Sequence, residues 1–377
     1  MLELAVNGTP MTPRGNELPE KRQQVCDFVL KQIAGGLKDG DRIWPENKLS
    51  RSLGVSKSTV RRAICDLVDL GILRQQQGKG TFVRQAGHPN VQAFALHAIR
   101  MVGFLSPFAH YEDGFMREIT LGADQALDPK RFLMVTKHVH IPHFTEADIL
   151  PGLVEKVQGL LWLSTLNADS CRMIAKLHAR RFPLVLVDRY LPEVPCCSVT
   201  TDNLEVGILG TRHLIELGHR RILHLTKVEA ISSTREREEG YVLTMRQAGL
   251  SPHTARIGGS VTIQSILRDC FAGTPGTTPT AIFCLNDSLA ITCCQFLAAK
   301  NLRVPEQVSV VGVDGSPTAE TFEIPLTTVA QPRRQMGFKA ARLLEGLMMD
   351  TVKTDTRLLL QPTLIVRQSS AACRERE

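Results

Sequence analysis

Tryptophan and tyrosine are scarce in this chain, with two and three residues among 377, and aromatic residues make up only 5%. A ligand that stacks on rings would have to use Phe108, Phe115, Tyr111 or Tyr190. No apolar run approaches the roughly 20 residues that a membrane helix needs. The first twenty residues lack a basic start, an apolar core and a cleavage site, so they do not read as a secretory signal, and a cytoplasmic protein is expected. The ten cysteines are scattered without a C-x-x-C, which favours reduced thiols over a disulfide framework. Cys65, Cys284 and Cys293 lie in apolar runs and read as small hydrophobes. His138, His140 and His143 form the single histidine cluster, without a carboxylate or cysteine in register, so an exposed loop is favoured over a metal site. Gly-x-Ser-x-Gly, a lysine-bearing phosphate loop and His-Glu-x-x-His are all missing, and neither an enzyme nor a bound cofactor or metal is expected.

What the chain does have is charge in one place. The net charge is +7, with 43% hydrophobic and 22% charged residues, as in an ordinary globular protein. Residues 17–86 hold 13 Lys/Arg and 8 Asp/Glu, a balance of +5, while the other 307 residues share +2. One end of the protein is built to meet a polyanion.

That end is patterned as three helices and a hairpin. Val25, Phe28, Val29 and Ile33 recur at helical spacing and stop at Gly35-Gly36. Leu49 and Leu53 mark a short helix ended by Gly54, and Ser56 caps a third, with Val60, Ile64, Leu67 and Val68 on one face and Gly71 beyond its end. Residues 72–74 and 81–83 read as strands around Gln77-Gly78-Lys79-Gly80. In a helix-turn-helix, the start of the last helix enters the major groove of double-stranded DNA. Ser56, Ser58 and Thr59 are small enough there to approach phosphates and base edges, while Lys57, Arg61 and Arg62 add charge and reach. Glycines 78 and 80 permit a tight wing from which Gln77 and Lys79 reach a groove or a phosphate. The alternative is a small protein-binding helical domain with a basic solvated face.

After residue 98 the texture changes. Apolar strands at 99–105, 132–137, 158–163, 184–188, 221–226, 280–283 and 308–313 alternate with amphipathic helices such as 114–127, 203–217, 236–248 and 288–300. This predicts parallel sheets covered on both faces, in two similar lobes. Polar residues follow several strands, where such sheets bind ligands: Asp188-Arg189, Asn286-Asp287 and Asp314. Arg237 reads as the start of a helix. Carboxylates beside an arginine suit the paired hydroxyls of a sugar. Asp287 reads equally as a helix N-cap, Arg237 equally as half of a surface ion pair, and Asp314 as the start of a turn before Gly315. Trp162, inside an apolar strand, reads as core.

Residues 20–84 resemble the winged helix-turn-helix of the GntR family. The likeness is carried by Gly40-Asp41, Leu49, Gly54-Val55-Ser56, Thr59-Val60-Arg61, Leu70-Gly71 and residues 77–83. It implies that Ser56, Lys57, Ser58, Thr59 and Arg61 hold operator DNA, with Gln77 and Gly78 acting through the wing. Asn47 stands where members carry an arginine. Residues 99–367 resemble the effector domain of LacI/GalR regulators, a two-lobed fold of the periplasmic-binding-protein type. The matching runs include Val185-Leu-Val-Asp-Arg, Thr201-Asp-Asn-Leu-Glu-Val-Gly, Arg237-Glu-Glu-Gly-Tyr, Phe283-Cys-Leu-Asn-Asp and Val308-Ser-Val-Val-Gly-Val-Asp. This likeness implies effector ligands at Arg237, Asp287, Asp188, Arg189 and Phe115, and Arg333 stands where some members place an aromatic.

The expected α/β protein is thus a tail (1–16), a winged helix-turn-helix (17–85), a linker (86–98) without the hinge helix usual in LacI regulators, a two-lobed sensor and dimerisation domain (99–369), and a tail (370–377). Together they predict a homodimeric, operator-binding repressor controlled by a sugar-type effector, with coupling through the domain contact and the dimer interface. The competing readings are a sugar-binding protein or an enzyme on the same scaffold, without a DNA role.

Overall fold

The computed structural model describes residues 20–76, 78–84, 99–107, 114–139, 145–228, 231–272 and 278–374. Gln77, Phe108, Tyr111, His140, His143, residues 1–16 and the 86–98 linker lie outside them. The chain divides into two compact units, Met1–Ile99 and Arg100–Glu377.

The first unit contains α1 (Glu20–Ala34), α2 (Glu46–Leu53) and α3 (Lys57–Asp69), followed by β1 (Leu73–Gln76) paired antiparallel with β2 (Gly80–Val83). Val25, Val29, Leu49, Val60, Ile64, Leu67 and Val83 close one core, as the helical spacing predicts. Gly54 ends α2 in the left-handed conformation at φ 64°, and its N–H donates to the Ser50 carbonyl. Ser56 caps α3 through its hydroxyl, which accepts from the Thr59 N–H. Arg22 is paired with Asp66, which ties α1 to α3. Cys65 departs from its reading as a small hydrophobe. It is exposed, because it falls on the α3 face opposite Ala63, Ile64 and Leu67.

The second unit holds two six-stranded sheets. One is ordered β13-β7-β6-β5-β3-β4, from β3 (Arg100–Ser106), β4 (Phe132–His138), β5 (Gly159–Trp162), β6 (Leu184–Val187), β7 (Cys197–Thr201) and β13 (Arg357–Leu360). The other is ordered β14-β12-β11-β10-β8-β9, from β8 (Ile222–Lys227), β9 (His253–Ile257), β10 (Ala281–Cys284), β11 (Ser309–Asp314), β12 (Thr327–Ala330) and β14 (Thr363–Ile365). Every pairing is parallel except β12 with β14. The inner strands of each sheet are buried on both faces and read as continuous apolar runs, whereas the edge strands β4, β9, β13 and β14 carry exposed positions.

Lobe 1 is covered by α4 (Phe115–Ala126), α5 (Glu146–Val154), α6 (Ala168–Ala179) and α12 (Arg333–Met348). Lobe 2 is covered by α7 (Asn203–Glu216), α8 (Ser232–Gln247), α9 (Ile263–Phe271), α10 (Asp287–Ala299) and the short α11 (Pro317–Thr321). Trp162 is core, and its indole N–H donates to the buried Glu146 carboxylate. The ten cysteines are free. Residues 370–374, expected as tail, are fastened to lobe 2: the Ala371 N–H donates to Ser309 Oγ, and the Cys373 N–H donates to the Leu217 carbonyl.

Each lobe has one pair of helices packed backbone to backbone through glycine. In lobe 2, a Cβ on Gly240 would lie 2.2 Å from the Leu204 carbonyl oxygen, and one on Gly207 would lie 2.2 Å from that of Arg237. In lobe 1, a Cβ on Gly122 would meet Arg334 O at 1.9 Å, and one on Gly337 would meet Ile119 O at 1.9 Å. Gly240→Ala is expected to cost about 1–3 kcal/mol by forcing α7 and α8 apart, read as a lower urea midpoint with an unchanged slope.

His224 is sandwiched between Tyr241 and Phe283 in lobe 2, at ring distances of 5.0 and 5.1 Å. Burial pushes it down to about 4, below the unfolded value near 6.5. As pH falls, the unfolded chain binds this proton first, so the stability present above pH 6.5 fades toward pH 4. The stability difference between wild type and His224→Gln should shrink by about 3 kcal/mol between pH 7.5 and 4. A difference that stays flat across that window would refute the assignment.

Candidate functional site

In the first unit, the expected DNA-facing residues share one surface. Ser56, Lys57, Ser58, Arg61 and Arg62 are exposed, and Thr59 is half-buried. The Ser56 hydroxyl lies 2.8 Å from those of Ser58 and Thr59, so the helix start presents a compact hydroxyl cluster. Arg61 holds Glu46 at 3.2 Å, a solvent-facing pair weak enough to yield to a stronger anion. At the wing, Gly78 and Gly80 take φ 75° and 116°. A Cβ on Gly80 would lie 2.6 Å from Arg42 Nε, so that glycine makes room for Arg42 as well as for the turn. Lys79 is exposed at the tip. Asn47 is exposed on α2, while Lys48 Nζ sits 3.7 Å over the Trp44 ring.

In the second unit, three crossovers join the lobes: residues 201–203, 331–333 and 361–362. Hydrogen bonds lace them together. Thr201 Oγ1 donates to Gln331 Oε1 at 2.8 Å, and the Asp202 N–H donates to the Leu360 carbonyl at 2.8 Å. The polar residues past the strand ends attach to this lacing. Gln331 Nε2 donates to Asp314 Oδ1 at 2.7 Å. Arg237 Nε donates to Asn203 Oδ1 at 2.8 Å, and its Nη1 to the Leu285 carbonyl at 2.9 Å. Arg237 is not at the helix start as expected. α8 begins at Ser232, five residues earlier, so Arg237 projects from its second turn.

Asp287 is fully buried and engaged within lobe 2. Its Oδ2 accepts the Ser316 N–H at 2.7 Å and its Oδ1 the Thr328 hydroxyl at 2.6 Å, while Asn286 takes the N-cap role. Burial pushes Asp287 above the ordinary carboxylate range, against the opposing pull of those hydrogen bonds. Burial and then the Asp287 charge push Asp314 up to about 7. Asp314, expected to start a turn, is instead the last residue of β11, at φ 123°, and its side chain joins this cluster.

Asp188 follows β6 in lobe 1 with φ 67°, a left-handed conformation that costs an aspartate about 1–3 kcal/mol. Its Oδ2 takes a long 3.4 Å bond from Arg189 Nε, and its buried Oδ1 has no partner among the described residues. Arg189 Nη1 donates to the Ser164 carbonyl. Arg333 starts α12 at the second crossover, with Nη2 on the Gly315 carbonyl at 2.9 Å and Cζ 5.8 Å from the Phe115 ring. Phe115, at the start of α4, is half-buried. Sequence reasoning missed Thr201, Asn203 and Gln331. Asn203 and Gln331 are polar residues that follow strand ends, but β7 and β12 were not recognised as strands.

Comparison with known proteins decides the family. Residues 21–83 match the model described as bacterial regulatory proteins, gntR family, and residues 211–370 match the periplasmic binding protein-like domain. The HTH-type transcriptional regulator CelR of Thermobifida fusca is 32% identical over 267 residues, covering 69% of this chain and 77% of that one. The chain belongs to the GntR/LacI-type transcriptional regulators. The arabinose metabolism transcriptional repressor of Geobacillus stearothermophilus is 27% identical over 364 residues, spanning 94% of this regulator and 98% of that repressor. A solved CelR–cellobiose complex is 27% identical and superposes with a TM-score of 0.62 over 87% of this regulator and 100% of that chain. The α/β fold, the winged head and the two-lobed body of this regulator agree with the expectation. Among the described residues, no helix is long and apolar enough to cross a membrane.

The lacing of the crossovers makes a quantitative expectation. Thr201→Val leaves buried Gln331 Oε1 without its donor and should cost about 1–3 kcal/mol. Equilibrium unfolding in urea reads it, and a change below about 0.5 kcal/mol would remove the bond from the hinge.

Proposed function

We propose that this regulator is a repressor that holds operator DNA as a homodimer and is controlled by a polyhydroxylated, sugar-type small molecule bound between the lobes, in the cytoplasm and without catalysing a reaction. Ser56, Lys57, Ser58, Thr59, Arg61 and Arg62 contact the major groove, and Gly78 and Lys79, with Gln77, act from the wing. Asp188 and Arg237 bind effector hydroxyls, Arg189 orients Asp188, and Phe115 lines the pocket. Asp287 acts by holding Ser316 and Thr328 in place.

The observation that carries the effector reading is Asp188, a buried carboxylate in a strained backbone with one oxygen unpartnered. Such an oxygen is costly unless a donor arrives, and a ligand hydroxyl is one. The cellobiose bound by CelR and the arabinose in the name of the Geobacillus repressor support a carbohydrate. Arg237 and Asp314 sit one hydrogen bond from the crossovers, so occupancy of the cleft biases the lobe angle. A ligand acts only through its different affinity for the two arrangements. In a dimer, that change alters the spacing of two α3 helices on their half-sites.

Two measurements test this. In a mobility-shift assay, affinity for operator DNA should fall steeply with salt, and Arg61→Ala should lower it at least about tenfold without changing sugar binding. Asp188→Asn should do the reverse, abolishing the effector response while operator affinity persists. Salt-independent DNA binding, or a full effector response in Asp188→Asn, would overturn the respective half.

A further inference from the structure

Arg333 is the one part of the cleft that a neutral sugar does not account for. It is 7% exposed, and its Nη1 is shut off from solvent with no acceptor among the described residues. It makes no ion pair there: its one acceptor is the Gly315 carbonyl. Arg237 behaves alike, since its two acceptors are the Asn203 and Leu285 carbonyls. Two buried guanidinium groups therefore rest on neutral oxygens. Asp287 and Asp314 feel both cations or one of them at a distance but spend their own bonds on Ser316, Thr328 and Gln331.

The surroundings of Arg333 add to its charge. It is the first residue of α12, a helix of 16 residues whose N-cap is Pro332, with no side-chain cap and no acidic residue in its first turn. Across from it, Phe115 opens α4 behind Gly114, which brings no capping side chain. The two helix starts lie side by side, and the first turn of α4 carries one acid, Glu118, which pairs with Arg334 rather than Arg333. Asp314, held up by burial and by Asp287, contributes less than a full negative charge at neutral pH. Among the described residues, the cluster holds Arg189, Arg237 and Arg333 with Asp188, Asp287 and Asp314, and none of these carboxylates is hydrogen-bonded to Arg333.

We infer that the effector carries a carboxylate, and that Arg333 Nη1 binds it at the start of α12. The ligand is then a sugar acid, an aldonate or uronate. Its hydroxyls meet Asp188 and Arg237, and its acid group meets Arg333. A phosphate dianion fits less well, because Asp188, Asp287 and Asp314 repel the second charge. This inference rests on the proposed effector cleft and adds the chemical class of what fills it.

The full-length regulator should be screened by thermal shift and calorimetry against matched pairs: arabinose and arabinonate, glucose and gluconate, galactose and galactonate, with glucuronate, galacturonate and glucose 6-phosphate added. The expected result is that an acid binds more tightly than its neutral partner. Arg333→Gln should lower affinity for the acid by about 10- to 100-fold and leave neutral sugars within about twofold. Arg333→Lys, which keeps the charge, should restore part of the loss, and urea midpoints of both variants check that they fold. Tighter binding of a neutral sugar, a preference for glucose 6-phosphate, or an acid-to-neutral ratio unchanged in Arg333→Gln overturns the carboxylate. If neutral sugars alone bind and move the operator shift, the anion is wrong and the effector cleft stands. If no compound in the panel binds, both fall.

Discussion

The body of this regulator turns on a few hydrogen bonds between its crossovers. Thr201 bonds to Gln331, and Asp202 bonds to the Leu360 carbonyl, so three strands of chain that could move separately act as one joint. Gln331 then holds Asp314, and Asn203 holds Arg237. The cleft chemistry and the joint therefore share atoms. For the proposed effector site, coupling through a long chain of packed residues is unnecessary, because Arg237 and Asp314 each lie one hydrogen bond from a crossover residue.

The glycine contacts supply the rigidity this arrangement needs. Gly207 against Gly240 brings α7 and α8 to backbone contact, and Arg237 leaves α8 at that crossing. Gly122 and Gly337 do the same for α4 and α12, on the helices that carry Phe115 and Arg333. Each cationic side chain is thus borne by a helix that cannot shift without breaking a close-packed interface. The buried carboxylates are held in the same way: Asp287 fixes Ser316, and Glu146 gathers donors from Trp162, Thr165 and Ser170, next to the Ser164 carbonyl that Arg189 holds.

How much of this could be read beforehand depended on whether the signal was local. Ser56, Gly54 and the spacing of Val60, Ile64 and Leu67 fix a cap, a turn and a buried face within a dozen residues, and the winged head was legible in full outline. The apolar runs at 184–187 and 309–313 were legible for the same reason. β9 and β13 were not, because their exposed positions (His253, Arg357, Leu359) interrupt the pattern. Asp287 was legible as polar and well placed. Its satisfaction by Ser316 and Thr328 was not, since those partners lie 29 and 41 residues away. Arg333 stood out only as a departure from a family pattern, and its unpartnered nitrogen is a property of the packed cleft.

The segment beyond β14 has a consequence for how the protein is made. Ser369 accepts the Val310 N–H through its carbonyl and the Thr327 N–H through its hydroxyl, and that hydroxyl donates to the Val310 carbonyl. It stitches β11 to β12, while β13 and α12 complete the other lobe. The winged head is finished once its first eighty-odd residues emerge, yet neither lobe can close until residues 357–374 have been synthesised. On the ribosome, a head competent to fold precedes a sensor that is not, so the chain acquires its winged head before it acquires the body that governs it.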